Sequence, residues 1–366
     1  MGYWEKPVWS RFTQEELERL SVDRPDEAVY RKVLENWDKA AKPLDSLGRF
    51  ETLTARIGAA LGTDDIDISR KAVIVMCSDN GIVEEGISQS GQEVTAAVAR
   101  QMGQGNSSVG KMAALVGADV IPIDIGINQK EGIPGVIDWK IRPGARNFRK
   151  EPAMTRQEAA QAVFAGIEAV SRCRDMGYQL IATGEMGIGN TTTSSAVAAA
   201  LLKCRAWEVT GRGAGLCDEK LARKRQVIEE AVEKYGLFGG EPLRVLETVG
   251  GFDLGALAGV CIGGGLFHLP VVLDGVISMT AAVLAKRMFP ETAHYLIPSH
   301  KGKEPAVSAL EAELGLEPVI HADMALGEGT GAVMMMGLLD LAMRIYRKRT
   351  TFYDIQVEPY ERYCER

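Results

Sequence analysis

Near its C-terminal end the chain reads Ala325-Leu326-Gly327-Glu328-Gly329-Thr330-Gly331, a carboxylate between glycines ahead of the apolar run Ala332 to Met343. Bare backbone on both sides of Glu328 lets other groups approach closely, and a helix start behind it holds its direction. A glutamate so placed suits a general base that takes a proton from a bound group better than it suits a solvated surface charge. The chemistry is expected to converge on Glu328.

The second candidate is Gly184-Glu185-Met186-Gly187-Ile188-Gly189-Asn190-Thr191-Thr192-Thr193, between an expected strand and an Ala-rich helix over Ser194 to Leu202. Its glycines allow a tight turn, and the free amides of a helix start, with the Thr191 and Thr192 hydroxyls, suit a phosphate. The spacing approaches the nucleotide-triphosphate loop, but Asn190 stands where that loop carries its lysine, which argues against an ATPase or GTPase. Position 192 is Thr rather than a third glycine, so the dinucleotide fingerprint fails as well. A strand-to-helix turn without a ligand is the other reading of the same glycines.

Glu185 inside this loop would repel a polyphosphate. A mononucleotide whose ribose or cationic ring faces the carboxylate fits better. Its phosphate needs a counter-charge, and Arg212-Gly213-Ala214-Gly215 and the basic stretch Arg223-Lys224-Arg225 offer several. Taken singly, each of these cations is more often a solvated helix face.

Asp79-Asn80-Gly81 opens a glycine-punctuated segment that enters a helix near Gln92, as binding loops often do. Ser88 and Gln92 can hydrogen-bond a ligand there or cap the helix, and capping is the commoner role. The four histidines form no H-E-x-x-H pair, so no metal site is expected, and no serine lies in G-x-S-x-G.

These groups need a scaffold, and the chain supplies one in short Val- and Ile-rich runs separated by helical stretches. Expected strands are Ala72 to Ser78, Val120 to Ile125, Gln179 to Thr183 and Val271 to Leu273, with Tyr295 to Ile297 and Val319 to His321 as weaker ones. That alternation points to βαβ units and a mostly parallel α/β sheet, whose ligands sit at the carboxyl ends of the strands. Asp79, Asp124, Glu185, Asp274 and His300 all follow or end such runs. The first 60 residues or so read as helices, with Thr13 to Glu16 as a cap. Asn128 to Thr155 reads as an excursion between sheet units.

A net charge of -7 over 366 residues, with 46% apolar and 25% charged content, describes an ordinary globular protein without the basic face of a nucleic-acid binder. The cluster Arg344, Arg347, Lys348 and Arg349 reads as a helix C-terminus complementing its dipole. The 6 cysteines, Cys77, Cys173, Cys204, Cys217, Cys261 and Cys364, show no C-x-x-C pair and no leader ahead of them, which predicts a reducing cytoplasm and no structural metal. Leu254 to Leu273 lacks charge, but its glycines and Pro270 divide it into helix, turn and strand rather than a membrane span.

In order along the chain, Pro43 to Phe50 (PLDSLGRF), Gly184 to Thr192 (GEMGIGNTT), Gly250 to Leu257 (GGFDLGAL), Leu273 to Ala281 (LDGVISMTA), Leu316 to Pro318 (LEP) and Leu326 to Ala332 (LGEGTGA) resemble one family. It is the nicotinate-nucleotide:dimethylbenzimidazole phosphoribosyltransferases of cobamide biosynthesis. The resemblance implies a doubly wound, Rossmann-like α/β domain over 66–332, with a smaller helical domain from 1–65 and 333–366. It implies transfer of 5-phosphoribose from nicotinate mononucleotide to a lower-ligand base, giving α-ribazole phosphate and nicotinate.

On this resemblance Glu328 is the general base and Glu185 the second acid. Gly187, Ile188, Gly189, Asn190, Thr191, Lys224, Gly302 and Gly327 hold phosphate and ribose. Gly81, Glu84, Ser88, Gln92, Met186 and Leu326 line the base pocket. It implies no metal, no cofactor and a homodimer, a heterodimer with a homologue being the alternative, alongside the cytoplasmic setting without nucleic-acid or membrane partners that composition predicts. The chain departs from the pattern at Asn80, where relatives often have His, in the stretch before Gln92, where they have an aromatic and Pro, and at Gly302, where Ser is expected. The acceptor is thus open among benzimidazoles, purines and phenols, and a catalytically silent nucleotide-binding subunit is the reading from another class.

Overall fold

Lys71–Ser78 is buried at every position, the signature of a strand covered on both faces. The computed structural model describes Trp4 and residues 7–363, so Cys364 lies outside the described residues. It contains one sheet of β1 (Lys71–Ser78), β2 (Ala118–Gly126), β3 (Ile137–Asp138), β4 (Leu180–Met186), β5 (Val271–Val272) and β6 (Leu296–Ile297). The order is β3-β2-β1-β4-β5-β6 and every pairing is parallel.

Alternate residues of each strand enter different cores. Ala72, Ile74 and Met76 join the helices Arg156–Asp175, Asn190–Leu202, Phe252–Leu266 and Val276–Met288. Val73, Val75 and Cys77 join Arg49–Leu61, Glu93–Gly103, Ser108–Leu115 and Thr330–Arg347. Helices on both faces of a parallel sheet make this a doubly wound α/β fold, as the sequence predicts.

The helices start where local chemistry places them. Thr155 and Glu158 exchange hydrogen bonds across a capping box, and Thr13 does the same with Glu16. Helix Phe252–Leu266, from the uncharged stretch, is buried along its length beside Arg156–Asp175. No helix among the described residues is long and apolar enough to cross a membrane.

The two chain ends meet. Trp37, fully buried in helix Glu27–Asp38, donates to Thr54 Oγ1 at 2.7 Å and packs its ring 5.3 Å from that of Tyr346. Ala41 N–H donates to the Thr350 carbonyl. Residue 333, the expected start of the C-terminal helical piece, falls within the continuous helix Thr330–Arg347, whose first turns lie against β4 and β5.

Three expectations need correction. Val319 to His321 is not a strand but a single bridge between Ile320 and His300, because the chain runs straight on into the polar segment at 321–323. The excursion at 128–155 contributes an edge strand, Ile137–Asp138, anchored by the buried Trp139. The helix after the glycine loop begins at Asn190 rather than Ser194, since Gly189, at φ +96°, already turns the chain into its N-cap.

Candidate active site

The strand order changes direction between β1 and β4, which opens a crevice outside their carboxyl ends. Register brings the candidate groups level there, with Met76 opposite Glu185 and Cys77 opposite Asp124 and Met186.

The loop after β4 is wedged into this crevice. A Cβ on Gly187 would lie 2.6 Å from Asp253 Oδ2, so only glycine lets the turn pass. The Ile188 N–H donates to Thr95 Oγ1 at 3.1 Å, which ties the loop to helix Glu93–Gly103. Asn190 donates through Nδ2 to Glu185 Oε2 and also bonds the Asp253 carboxylate.

Burial pushes the Glu185 carboxyl up to about 8, and the nearby Asp274 and Asp253 charges add to the rise. Hydrogen bonds from Asn190 and from the Glu328 backbone amide oppose it without cancelling it. Glu185 is therefore largely a neutral acid near pH 7. Burial also raises the Asp253 carboxyl, to about 6.

The second carboxylate arrives on the loop ahead of helix Thr330–Arg347. Asp274, buried at the end of β5, accepts from Gly331 N–H at 2.9 Å and Gly329 N–H at 3.2 Å and fixes that loop. The Glu328 carbonyl presses on β4, where a Cβ on Gly184 would lie 2.6 Å from it. Glu328 itself has φ +62°, a left-handed conformation that a non-glycine residue adopts only when its surroundings impose it. Its Oε2 accepts from the Val109 amide at 3.0 Å, at the start of helix Ser108–Leu115. Among the described residues Oε1 has no hydrogen-bond partner, which leaves that oxygen open to take a proton.

At the other end, Lys224 is buried rather than solvated, and its Nζ donates to Thr191 Oγ1 at 2.9 Å. Burial lowers the Lys224 ammonium to about 8, against the pull of the Glu304 charge. The Gly213 amide lies beside this pair, since a Cβ on Gly213 would be 2.8 Å from Thr191 Oγ1.

A cavity of about 260 Å³ joins these parts, lined from 185–188, 190–191, 213–214, 274–278, 300, 302–304 and 324–327. A larger one of about 970 Å³ lies between Lys39 and the tail at 351–359, and none of the expected site residues lines it. Glu185, Met186, Gly187, Ile188, Asn190, Thr191, Gly302, Leu326 and Gly327 line the former. Lys224 stands just behind Thr191, Gly189 serves as the helix N-cap, and Glu328 reaches past the wall toward Val109.

Of the expected base-side residues, Met186 and Leu326 line this cavity, and Gly81, Glu84, Ser88 and Gln92 lie elsewhere. Gly81 is packed on 145–147, and Glu84 pairs with Lys150 at 2.6 Å. Gln92 stands at the N-cap of its helix, but its side chain makes no capping bond and instead bonds the Asn80 carbonyl and Asn128; Ser88 Oγ accepts from Ser90 N–H.

Sequence reasoning passed over Asp274 as an anchor, though its place after a strand was visible. It also passed over Asp253, within a quoted motif, as a partner of Asn190, and over Glu304. Only the fold brings Glu304 to Gly213, whose amide donates to its Oε1 at 3.0 Å.

A family model described as "Phosphoribosyltransferase" matches residues 22–357. The nicotinate-nucleotide–dimethylbenzimidazole phosphoribosyltransferase of Acetivibrio thermocellus is 40% identical over 337 residues, 92% of this chain and 95% of that one. Its namesake from Clostridium acetobutylicum is 41% identical over 336 residues, 92% and 96% of the two chains. The crystal structure of CobT from Thermus thermophilus superposes with a TM-score of 0.86 at 38% identity, covering 90% of this chain and 99% of that one.

Proposed function

The chain belongs to the nicotinate-nucleotide–dimethylbenzimidazole phosphoribosyltransferase family, and from this premise we propose that it moves 5-phosphoribose from nicotinate mononucleotide to a cobamide lower-ligand base. The products are an α-ribazole phosphate and nicotinate. The observation that carries the reading is the joining of two unlike glutamates through Gly184 and Gly327, with Thr191 across the same cavity and Lys224 behind it.

The phosphate lies against Thr191, the Gly213 amide and Lys224. The ribose crosses Glu185, which as a neutral acid adds no charge beside the phosphate and can donate a hydrogen bond. The acceptor nitrogen attacks the anomeric carbon from the face opposite nicotinate. The bond to the pyridinium nitrogen breaks, and its electron pair neutralises the departing ring. Glu328 Oε1 takes the proton from the acceptor's other nitrogen, and the β-linkage becomes α. Gly187, Ile188, Gly189, Asn190, Gly302 and Gly327 shape the donor side. Met186 and Leu326 face the base, while Gly81, Glu84, Ser88 and Gln92 act through the loop that borders it.

We further propose a homodimer in the cytoplasm, with 1–65 and 333–366 as its small helical domain. Met334, Leu341 and Ile345 support this, as they are exposed along one face of helix Thr330–Arg347. A phenolic or purine acceptor, with a homologous partner subunit, is favoured over a benzimidazole only by Asn80, which turns its side chain to Asp253 at 3.4 Å.

A single assay tests the reaction. Purified protein is incubated with nicotinate mononucleotide and each of 5,6-dimethylbenzimidazole, adenine and p-cresol, and nicotinate and ribotide are quantified. Equimolar nicotinate and α-ribotide are expected with at least one acceptor. Tight mononucleotide binding without product from any of them would return the chain to the silent-subunit reading.

A further inference from the structure

The phosphate end of the cavity holds an anion of the protein's own. Glu304, on the segment after β6, accepts from the Gly213 amide at 3.0 Å through Oε1. Its Oε2 lies against Gly211, at the place a Cβ there would occupy. Its charge acts on the buried Lys224, whose Nζ donates to Thr191. A backbone amide in a glycine turn, a threonine hydroxyl and a desolvated ammonium form the donor set that a phosphate uses.

We propose that Glu304 is an internal competitor for the donor's phosphate, occupying the Gly213–Lys224 cradle until phosphate displaces it, and so sets the enzyme's affinity for phosphorylated donors. The proposal rests on the reading of that cradle as the phosphate site.

Two features make displacement feasible. Glu304 is half-buried and separates the active cavity from a neighbouring one of about 650 Å³. That neighbour is lined by Arg212, Arg225 and Lys303, cations toward which a displaced carboxylate can turn. Glu304 acts on Lys224 through space, so the exchange replaces one nearby anion by another and the buried ammonium is never left without a counter-charge. When only a minor fraction of molecules has an open cradle, apparent donor affinity falls by that fraction.

The test is calorimetric titration of inorganic phosphate at constant ionic strength and neutral pH, into the whole protein and its Glu304→Gln, Glu304→Ala and Lys224→Met variants. Glu304→Gln keeps an acceptor for the Gly213 amide but removes the charge. Both Glu304 variants are expected to bind phosphate about tenfold more tightly. The KM for nicotinate mononucleotide should fall in parallel, while kcat stays within about twofold. A merely structural Glu304 would instead weaken phosphate binding and lower the melting temperature. Unchanged or weaker phosphate binding in both Glu304 variants, with binding lost in Lys224→Met, overturns the competitor and leaves the cradle standing. Wild-type phosphate affinity in Lys224→Met removes the cradle reading itself, and the proposal with it.

Discussion

At the proposed donor end of the cavity, Thr191, Gly213 and Lys224 come from the start of one helix, a glycine turn and the next long helix, and converge on one point. On the acceptor side, Asn80, Ser88 and Gln92 belong to one continuous segment and bond mostly to one another or to neighbouring loops. The first arrangement gathers around the buried Lys224 and is held by the glycine loop and a long helix, so it suits a group common to every donor. The second is satisfied within its own segment and by neighbouring loops, so it can change its side chains without disturbing the sheet. A transferase with a constant donor and a variable acceptor needs that division.

Variants along the cavity put the division to the test. Glu328→Gln, at the junction, should lower kcat by about 10²–10⁴ through loss of the proton acceptor, measured as nicotinate release at saturating substrates. Lys224→Met should weaken the donor end alone. It raises the KM for nicotinate mononucleotide by roughly 30- to 1000-fold, about 2–4 kcal/mol, with the acceptor's KM unchanged. Parallel loss of affinity for donor and acceptor would erase the distinction between the two ends.

Glu185→Gln should act through pH. Folding raises this carboxyl from 4.5 to about 8, so the native chain keeps a proton that the unfolded chain has released. Its contribution to stability is fully present below 4.5 and is lost as pH rises to about 8. Denaturant unfolding from pH 5 to 8 should show a steeper downward slope in the wild type than in Glu185→Gln, whose remaining slope comes from groups such as Asp253, raised to about 6. Equal slopes in the two proteins would mean that Glu185 is ionised in the fold. The smallest effect is expected from Gln92→Ala, a few-fold change in the acceptor's KM, about 1 kcal/mol or less, with none in the donor's.

The same contrast governs what the sequence made legible. The strands at 72–78, 120–125 and 179–183, the glycine loop and the isolated Glu328 could be read because periodicity and glycine spacing are local signals. Lys224 could not be separated from Arg223 and Arg225 by spacing. Only the packing of its helix against Asn190–Leu202 buries it beside Thr191. Gln92 looked like a cap because it precedes a helix, yet tertiary contacts to Asn80 and Asn128 claim its side chain. Asp274 and Glu304 depend on chain segments meeting across the sheet, a relation that no local pattern records.

In the proposed reaction, proton removal at Glu328 is separate from donor capture at Lys224. The most direct test of that separation pairs one binding and one rate measurement on Glu328→Gln, namely calorimetric titration with nicotinate mononucleotide and single-turnover formation of the ribotide from saturating substrates. Donor affinity is expected within about twofold of wild type and the single-turnover rate lowered by at least about 100-fold. A wild-type rate, or a loss of donor affinity large enough to explain a slow one, would contradict it.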